Sequence, residues 1–317
     1  MNLRLLYSAL GVGLALSVGS CAKEQLASES VVERYLPQTQ SNELTDWISR
    51  TFAPYNLEVI YRWHKQNIPS GSVATPPRPE QVRPVLEAIK ALAFDLYEQP
   101  KAGGTGFMQD KQLIRLTLLG DSELQASGVL LQLWYPRAAS NELFAFDVNG
   151  FSPASRASVY RLMRSTHHQI ARRLIEHTPY DRDAFASISP KAYGTLGLAP
   201  NRSEAYRRVG LSPYAHRRGF YTLHSMSSPE DEFAEIVSIM LMHSAVEIHE
   251  AEATALRPTD TEDVASVQEA KEAHRVLLKK RAFVEQYFRT KLGISLSRMQ
   301  ILSQRQLSSY YSQYQSQ

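Results

Sequence analysis

The chain has 317 residues, with 35 Lys and Arg against 32 Asp and Glu, a formal net charge of +3 and a single cysteine. A chain so close to neutrality has no electrostatic footprint for a nucleic acid, and it shows no basic run interleaved with aromatics. One cysteine excludes an internal disulfide and a thiolate metal cage, while the length is enough to fill one large core or two modest ones.

The first residues, MNLRLLYSALGVGLALSVGSC, place one positive charge at Arg4 ahead of an apolar run from Leu5 to Val18 and small residues ending at Cys21. That run is shorter than the roughly 20 apolar residues of a spanning helix and has the shape of an export signal. Its VGSC ending resembles the lipobox of bacterial lipoproteins, in which the cysteine is acylated and becomes the first residue of the mature chain. The expectation is a signal peptide over 1–20, a lipid anchor at Cys21 as the attachment to a membrane, and a flexible polar tether over 21–41. The pair Lys23-Glu24 resembles the short charged signals that send some lipoproteins to the outer cell surface.

Further along, Leu44, Trp47, Ile48 and Phe52 form one helical stripe, and Leu57, Val59, Tyr61 and Trp63 then alternate on one face of a strand. The stretch HKQNIPSGSVATPPRPE reads as a surface loop, and the helical spacing of Val82, Val85, Leu86, Ile89, Leu92, Ala93 and Leu96 predicts a helix after it. AGGTG at 102–106 lacks the Gly-Lys-Ser/Thr ending of a phosphate loop and has no strand before it, so it reads as a turn. Three strand-like runs follow at 113–119, 128–135 and 143–148, separated by short polar stretches that predict an antiparallel meander.

From Ser152 a long helix carries Val159, Met163, His167, Ile170 and Leu174 on one apolar stripe and ends near Thr178-Pro179. On that stripe His167 reads as a core histidine with one satisfied nitrogen. After a region of weak periodicity comes a second strong helix, with Ser228 as its N-cap, Pro229 in its first turn, and Glu230 and Asp231 at the positive end of its dipole. His243 and Glu247, four apart, read as a half-buried helix face. A third helix stops at Gly293, and the polar tail SQRQLSSYYSQYQSQ reads as frayed. The fold class is α+β: a helix and a small, mostly antiparallel sheet over 42–151, a helical part over 152–310, and a tail over 311–317.

Three blocks, DWISRTFAPYNLEVIYRW, HHQIARRLIEH and GFYTLHSMSSPEDEFAE, resemble those of the zinc-binding metallopeptidase lipoproteins associated with SusC/SusD-type, TonB-dependent import, a zincin-like (gluzincin-like) family. In that family the helix block reads approximately His-His-Glu-Phe-Ala-His. Two His four apart project from one helix face and can reach one zinc ion at about 2 Å. The Glu beside the first His holds the metal-bound water and takes its proton. A carboxylate from the later helix closes the ligand set.

Carried over by the resemblance, the first ligand falls on His168, the general base on Gln169, the second His on Arg172 and the third ligand on Asp231, with Glu235 in the shell behind. His224 stands where related gluzincins have a tyrosine that stabilises the transition state. Gln169 cannot take a proton at neutral pH, and Arg172 is a permanent cation with no lone pair for zinc. The resemblance therefore implies a degenerate site in an outer-membrane lipoprotein, surface or periplasm-facing. Its role would be accessory to an uptake system of SusC/SusD type, with a peptide or protein as ligand. In this reading Arg172 substitutes its charge for the metal opposite Asp231 or Glu235, and no cofactor is expected. The alternative is a working metallohydrolase with zinc on His168, His224 and Asp231, and Glu235 or Glu230 as base. A third reading is a structural partner for which the groove is irrelevant.

Overall fold

Strands β1 (Glu58–Ile60), β2 (Arg115–Leu118) and β3 (Glu142–Ala145) lie side by side in that order in the computed structural model, and both pairs run parallel. The expected antiparallel meander is thus corrected. Parallel neighbours need a crossover of a dozen or more residues, and a helix lies between β1 and β2 in the sequence. The chain between β2 and β3 is likewise far longer than a hairpin turn. Leu116 to Leu118 and Leu143 to Ala145 are buried at every position, with no alternation of buried and exposed residues, and the meander reading mistook them for hairpin strands. Across the sheet Glu58, Arg115 and Glu142 share one register, and Arg115 bonds both acids, Nε to Glu58 at 3.1 Å and Nη1 to Glu142 at 2.9 Å.

The structure describes residues 42–62, 74–121, 141–189, 193–194 and 210–315, so the signal and tether segments and the strand-like run at 128–135 lie outside the described residues. Apart from Asn42 and Glu43, the described residues belong to one unit from Leu44 to Gln317. Among them no helix is long and apolar enough to cross a membrane.

Helix α1 (Glu43–Phe52) leads into β1, and α2 (Pro79–Ile89) continues through a π-helical turn at Lys90–Phe94. AGGTG is a turn, with Gly104 and Gly106 at φ of 81° and 83°, where a Cβ would be strained. Helix α3 (Arg156–His177) starts four positions later than the periodicity suggests because the Ser155 hydroxyl accepts from Ser158 N–H and so sets the boundary. Ser228 caps α4 (Pro229–Met242) as expected, its Oγ accepting from Asp231 N–H at 3.0 Å. All of α4 except Glu230 is buried, the signature of a central helix, and α3 packs along it.

A reciprocal capping box of Ser244 and Glu247 opens α5 (Ala245–Ala255), and α6 (Val264–Lys291) ends at Gly293, whose φ is +70°. The tail is a further helix, α7 (Leu296–Gln315), not a frayed end. It buries Leu296, Met299, Ser303, Leu307 and Tyr310. Ser303 and Gln304 donate to the carbonyl of Leu241, and Gln300 to that of His243. Part of its inward face is polar and satisfied by those carbonyls, so hydropathy does not reveal it.

Candidate metal centre

The site is built where α3 and α4 lie against each other. Residues 164–169 of α3 are polar yet buried, and opposite them Asp231, Glu232, Glu235 and Ser238 of α4 are buried too. A third contribution comes from the segment before α4, where Thr222 precedes a single 3-10 turn, His224–Met226, that carries His224 and Ser225.

Three side-chain atoms converge there. His168 Nε2 lies 3.7 Å from Asp231 Oδ1, and His224 Nε2 lies 3.9 Å from the same oxygen. The three are within 4.8 Å of one another. The imidazoles meet edge to face at 5.4 Å. Each of the three atoms is buried and has no hydrogen-bond partner. The two spacings to Asp231 are too long for hydrogen bonds and near the roughly 3.4 Å between ligands of a tetrahedral zinc with bonds of about 2.0–2.1 Å. Three buried lone-pair atoms without a hydrogen-bond partner lie close together, an arrangement that fits a divalent metal. Two imidazoles and one carboxylate suit zinc and other first-row metals.

The shell behind is complete. Glu235 Oε1 lies 2.9 Å from His168 Nδ1, and its Oε2 accepts from Arg164 and from Thr222, each at 2.6 Å. Arg164 and Glu235 are both fully buried. Burial alone would push the Glu235 carboxyl up, but the Arg164 guanidinium and His168 hold it well below the usual range. For His168, burial disfavours the charged form, yet Asp231 and Glu235 raise its pKa above the ordinary value. Burial lowers that of His224, against the pull of Asp231 and Glu235, which keeps its lone pair available. Asp231 is pulled below its ordinary value in spite of burial, by His168, His224 and Arg172. Its second oxygen accepts from the Ser228 hydroxyl at 2.8 Å.

Of the remaining candidates, Arg172 stays beside Asp231, as the sequence reading expected, and the others, His167 apart, are held by different partners. Gln169 turns to the sheet, where its amide bonds the main chain of Phe144 in both directions and Ser165 Oγ. Arg172 sets Nη1 3.7 Å from Asp231 Oδ1 and Nη2 3.9 Å from Glu176, with 18% of its side chain exposed. Of the two acids considered as base, Glu235 is enclosed by Arg164, Thr222 and His168, and Glu230 pairs with Arg182 at 2.5 Å. His167 is fully buried, but neither of its ring nitrogens is bonded, and burial pushes its pKa down to about 3. His243 caps α4, bonds Tyr160 Oη at 2.7 Å and faces Glu247 at 3.4 Å.

Sequence reasoning missed Arg164 and Thr222. Arg164 stands four residues before His168 on the same helix face, so an arginine among apolar stripe residues was the available signal. Thr222 gave none.

A buried set of two imidazoles and a carboxylate, held between two packed helices beside a small sheet, could hold a single metal ion. The chain belongs to the family described as "Putative zinc-binding metallo-peptidase", which matches residues 37–297. Its fold is similar to that of a crystal structure of the same description from Bacteroides caccae, with a TM-score of 0.61, 16% identity, and coverage of 86% of this chain and 96% of that one. At that identity the likeness speaks for the fold alone. No curated protein matches.

Proposed function

We propose that the chain is a zinc-binding member of this family whose ligands are His168, His224 and Asp231, and that it has given up ordinary peptide hydrolysis for ligand binding. The convergence of three buried donor atoms that lack a hydrogen-bond partner carries the metal part of this reading. It favours the zinc-bearing alternative over a pocket balanced by Arg172 alone. Zinc bound there would supply a Lewis acid that polarises a carbonyl or water.

The chain's own residues support the loss of turnover. Glu235 orients His168 through Nδ1, which leaves Nε2 facing Asp231 and His224. The residue at the general-base position, Gln169, is committed to Phe144. On α4 the acids flanking Asp231 are committed as well: Glu230 to Arg182, Glu232 to Lys280 and Tyr193, and Glu235 to Arg164. A proton acceptor beside the reacting centre is what hydrolysis needs.

A peptide or protein is the proposed ligand. Acylation at Cys21, an outer-membrane location and an accessory role beside SusC/SusD-type transporters rest on the VGSC ending and on the resemblance of the three sequence blocks.

Metal analysis of the chain from Ala22 onward, purified without chelators, tests the centre. One zinc per chain is expected, and a protein that takes up none on titration sinks the assignment. Peptide turnover that disappears in His168→Ala would overturn the loss of hydrolysis. Labelled palmitate that stays on a Cys21→Ser chain would overturn the anchor.

A further inference from the structure

Arg164 is the largest of the fully buried side chains, and a guanidinium taken wholly out of water persists only where its partners are well placed. Its Nη2 donates to Glu235 Oε2 at 2.6 Å, and its carbonyl accepts from Ser238 Oγ on α4 at 2.7 Å. Residue 164 is therefore tied to α4 through both side chain and main chain. The same Glu235 takes Nδ1 of His168 on its other oxygen. Arg164 and His168 are one helical turn apart, so a single carboxylate spans both and closes a ring across the two helices.

A buried ion pair that served only to neutralise Glu235 would not need to touch His168. Here the carboxylate has one oxygen saturated by Arg164 and Thr222, which leaves the other to hold the imidazole. With Nδ1–H pinned in this way, the ring must present Nε2, the atom that faces Asp231 and His224. We propose that Arg164 is a positioning residue for the metal centre: by fixing Glu235 it keeps the His168 proton on Nδ1 and aims Nε2 at the metal position. This rests on the reading of His168 as a ligand.

The test uses zinc as the probe, with affinity from competition against a chromophoric chelator and the His168 ring followed by ¹⁵N NMR in the zinc-loaded protein. The wild type should coordinate through Nε2 and retain a protected Nδ1–H. Coordination through Nδ1 overturns the proposal. Arg164→Met should weaken zinc binding by roughly 10- to 100-fold and expose Nδ1–H to exchange, and Arg164→Lys should recover most of the loss. Because Arg164→Met leaves a buried charge unpaired, the paired variant Arg164→Met with Glu235→Gln removes both charges and keeps the fold accessible. It should show the same weakening while unfolding as cooperatively as the wild type. Wild-type zinc affinity in that folded pair overturns the role of Arg164 and leaves the ligand assignment standing. A wild type that takes no zinc overturns both.

Discussion

Gln169 and Phe144 are joined by two hydrogen bonds: Phe144 N–H donates to Gln169 Oε1 at 2.8 Å, and Gln169 Nε2 donates to the Phe144 carbonyl at 2.9 Å. The neighbouring Ala145 carbonyl accepts from Leu119, so in the alternating pattern of a strand Phe144 turns its main-chain groups away from β2. The side-chain amide supplies what a further strand would supply there. An amide donates from one atom and accepts at the other, so one uncharged side chain matches both main-chain groups.

A Gln169→Glu variant therefore loses stability and gains no chemistry. The carboxylate has no hydrogen for the Phe144 carbonyl or Ser165 Oγ, and a buried acceptor left unmatched costs about 1–3 kcal/mol. Calorimetry should find a Tm lower by roughly 2–4 °C for each kcal/mol lost. An unchanged Tm would mean that the two bonds to Phe144 are not made in solution.

Arg172→Gln should tighten zinc binding. The guanidinium is 3.7 Å from Asp231 Oδ1, and two unit charges about 4 Å apart interact with about 4 kcal/mol at an effective dielectric of 20. Solvent at this partly exposed side chain reduces that figure, and a gain of about tenfold in affinity remains the expected result. Isothermal titration with zinc decides it, and weaker binding by the variant would mean that Arg172 supports the site.

Loss of a ligand should be legible without any assay of turnover. A metal that binds only the folded chain stabilises it by about 2.7 kcal/mol at a free concentration 100 times its Kd. That increment should appear on adding zinc to the wild type and vanish in His224→Ala and in Asp231→Asn. A full zinc-induced shift in either variant would remove that residue from the ligand set.

His216 gives the protein an acid-sensitive term away from the site. It is buried, its Nε2 accepts from Ser212 N–H at 3.2 Å, and burial pushes its pKa down to about 4. Between that value and the ordinary 6.5 the unfolded chain binds a proton that the folded chain does not, so stability is full above pH 6.5 and falls as the pH drops. The loss should be about 2 kcal/mol at pH 5. Urea midpoints against pH should fall less steeply in His216→Gln than in the wild type, by about 2 kcal/mol at pH 5, with the remaining slope carried by other buried groups such as His167.

The Lys280 ammonium is fully buried, bonds Glu232 at 2.5 Å and the Gly219 carbonyl at 2.9 Å, and lies 3.9 Å over the Phe220 ring. Lys280→Met alone should cost about 3–5 kcal/mol by stranding Glu232, and adding Glu232→Gln should recover most of it. Equal stability of the single and double variants in urea would show that the two charges do not act as a pair.

Much of the helical framework is written in local sequence. Ser228 followed by Pro229 fixes the start of α4, and Gly293 fixes the end of α6, because caps and left-handed residues act within one turn. Strand direction was misread because short apolar runs were taken as hairpin strands, and the decisive clue was the helix between β1 and β2. At the site, Asp231 and His224 were found through spacing and resemblance. Arg164 was not, because its partner Glu235 lies 71 positions away and only tertiary packing brings them together.

Helix α7 has a consequence for the centre it never touches. Its Ser303, Gln300 and Gln304 side chains take the terminal carbonyls of α4, the helix whose opposite end carries Asp231. Trimming by a protease before Leu296 would strip those acceptors of their donors and let the far end of the central rod unwind. About thirty ångströms of helix thus act as a clasp on the end of α4 that lies farthest from Asp231, so fraying of that end is what its loss would bring first.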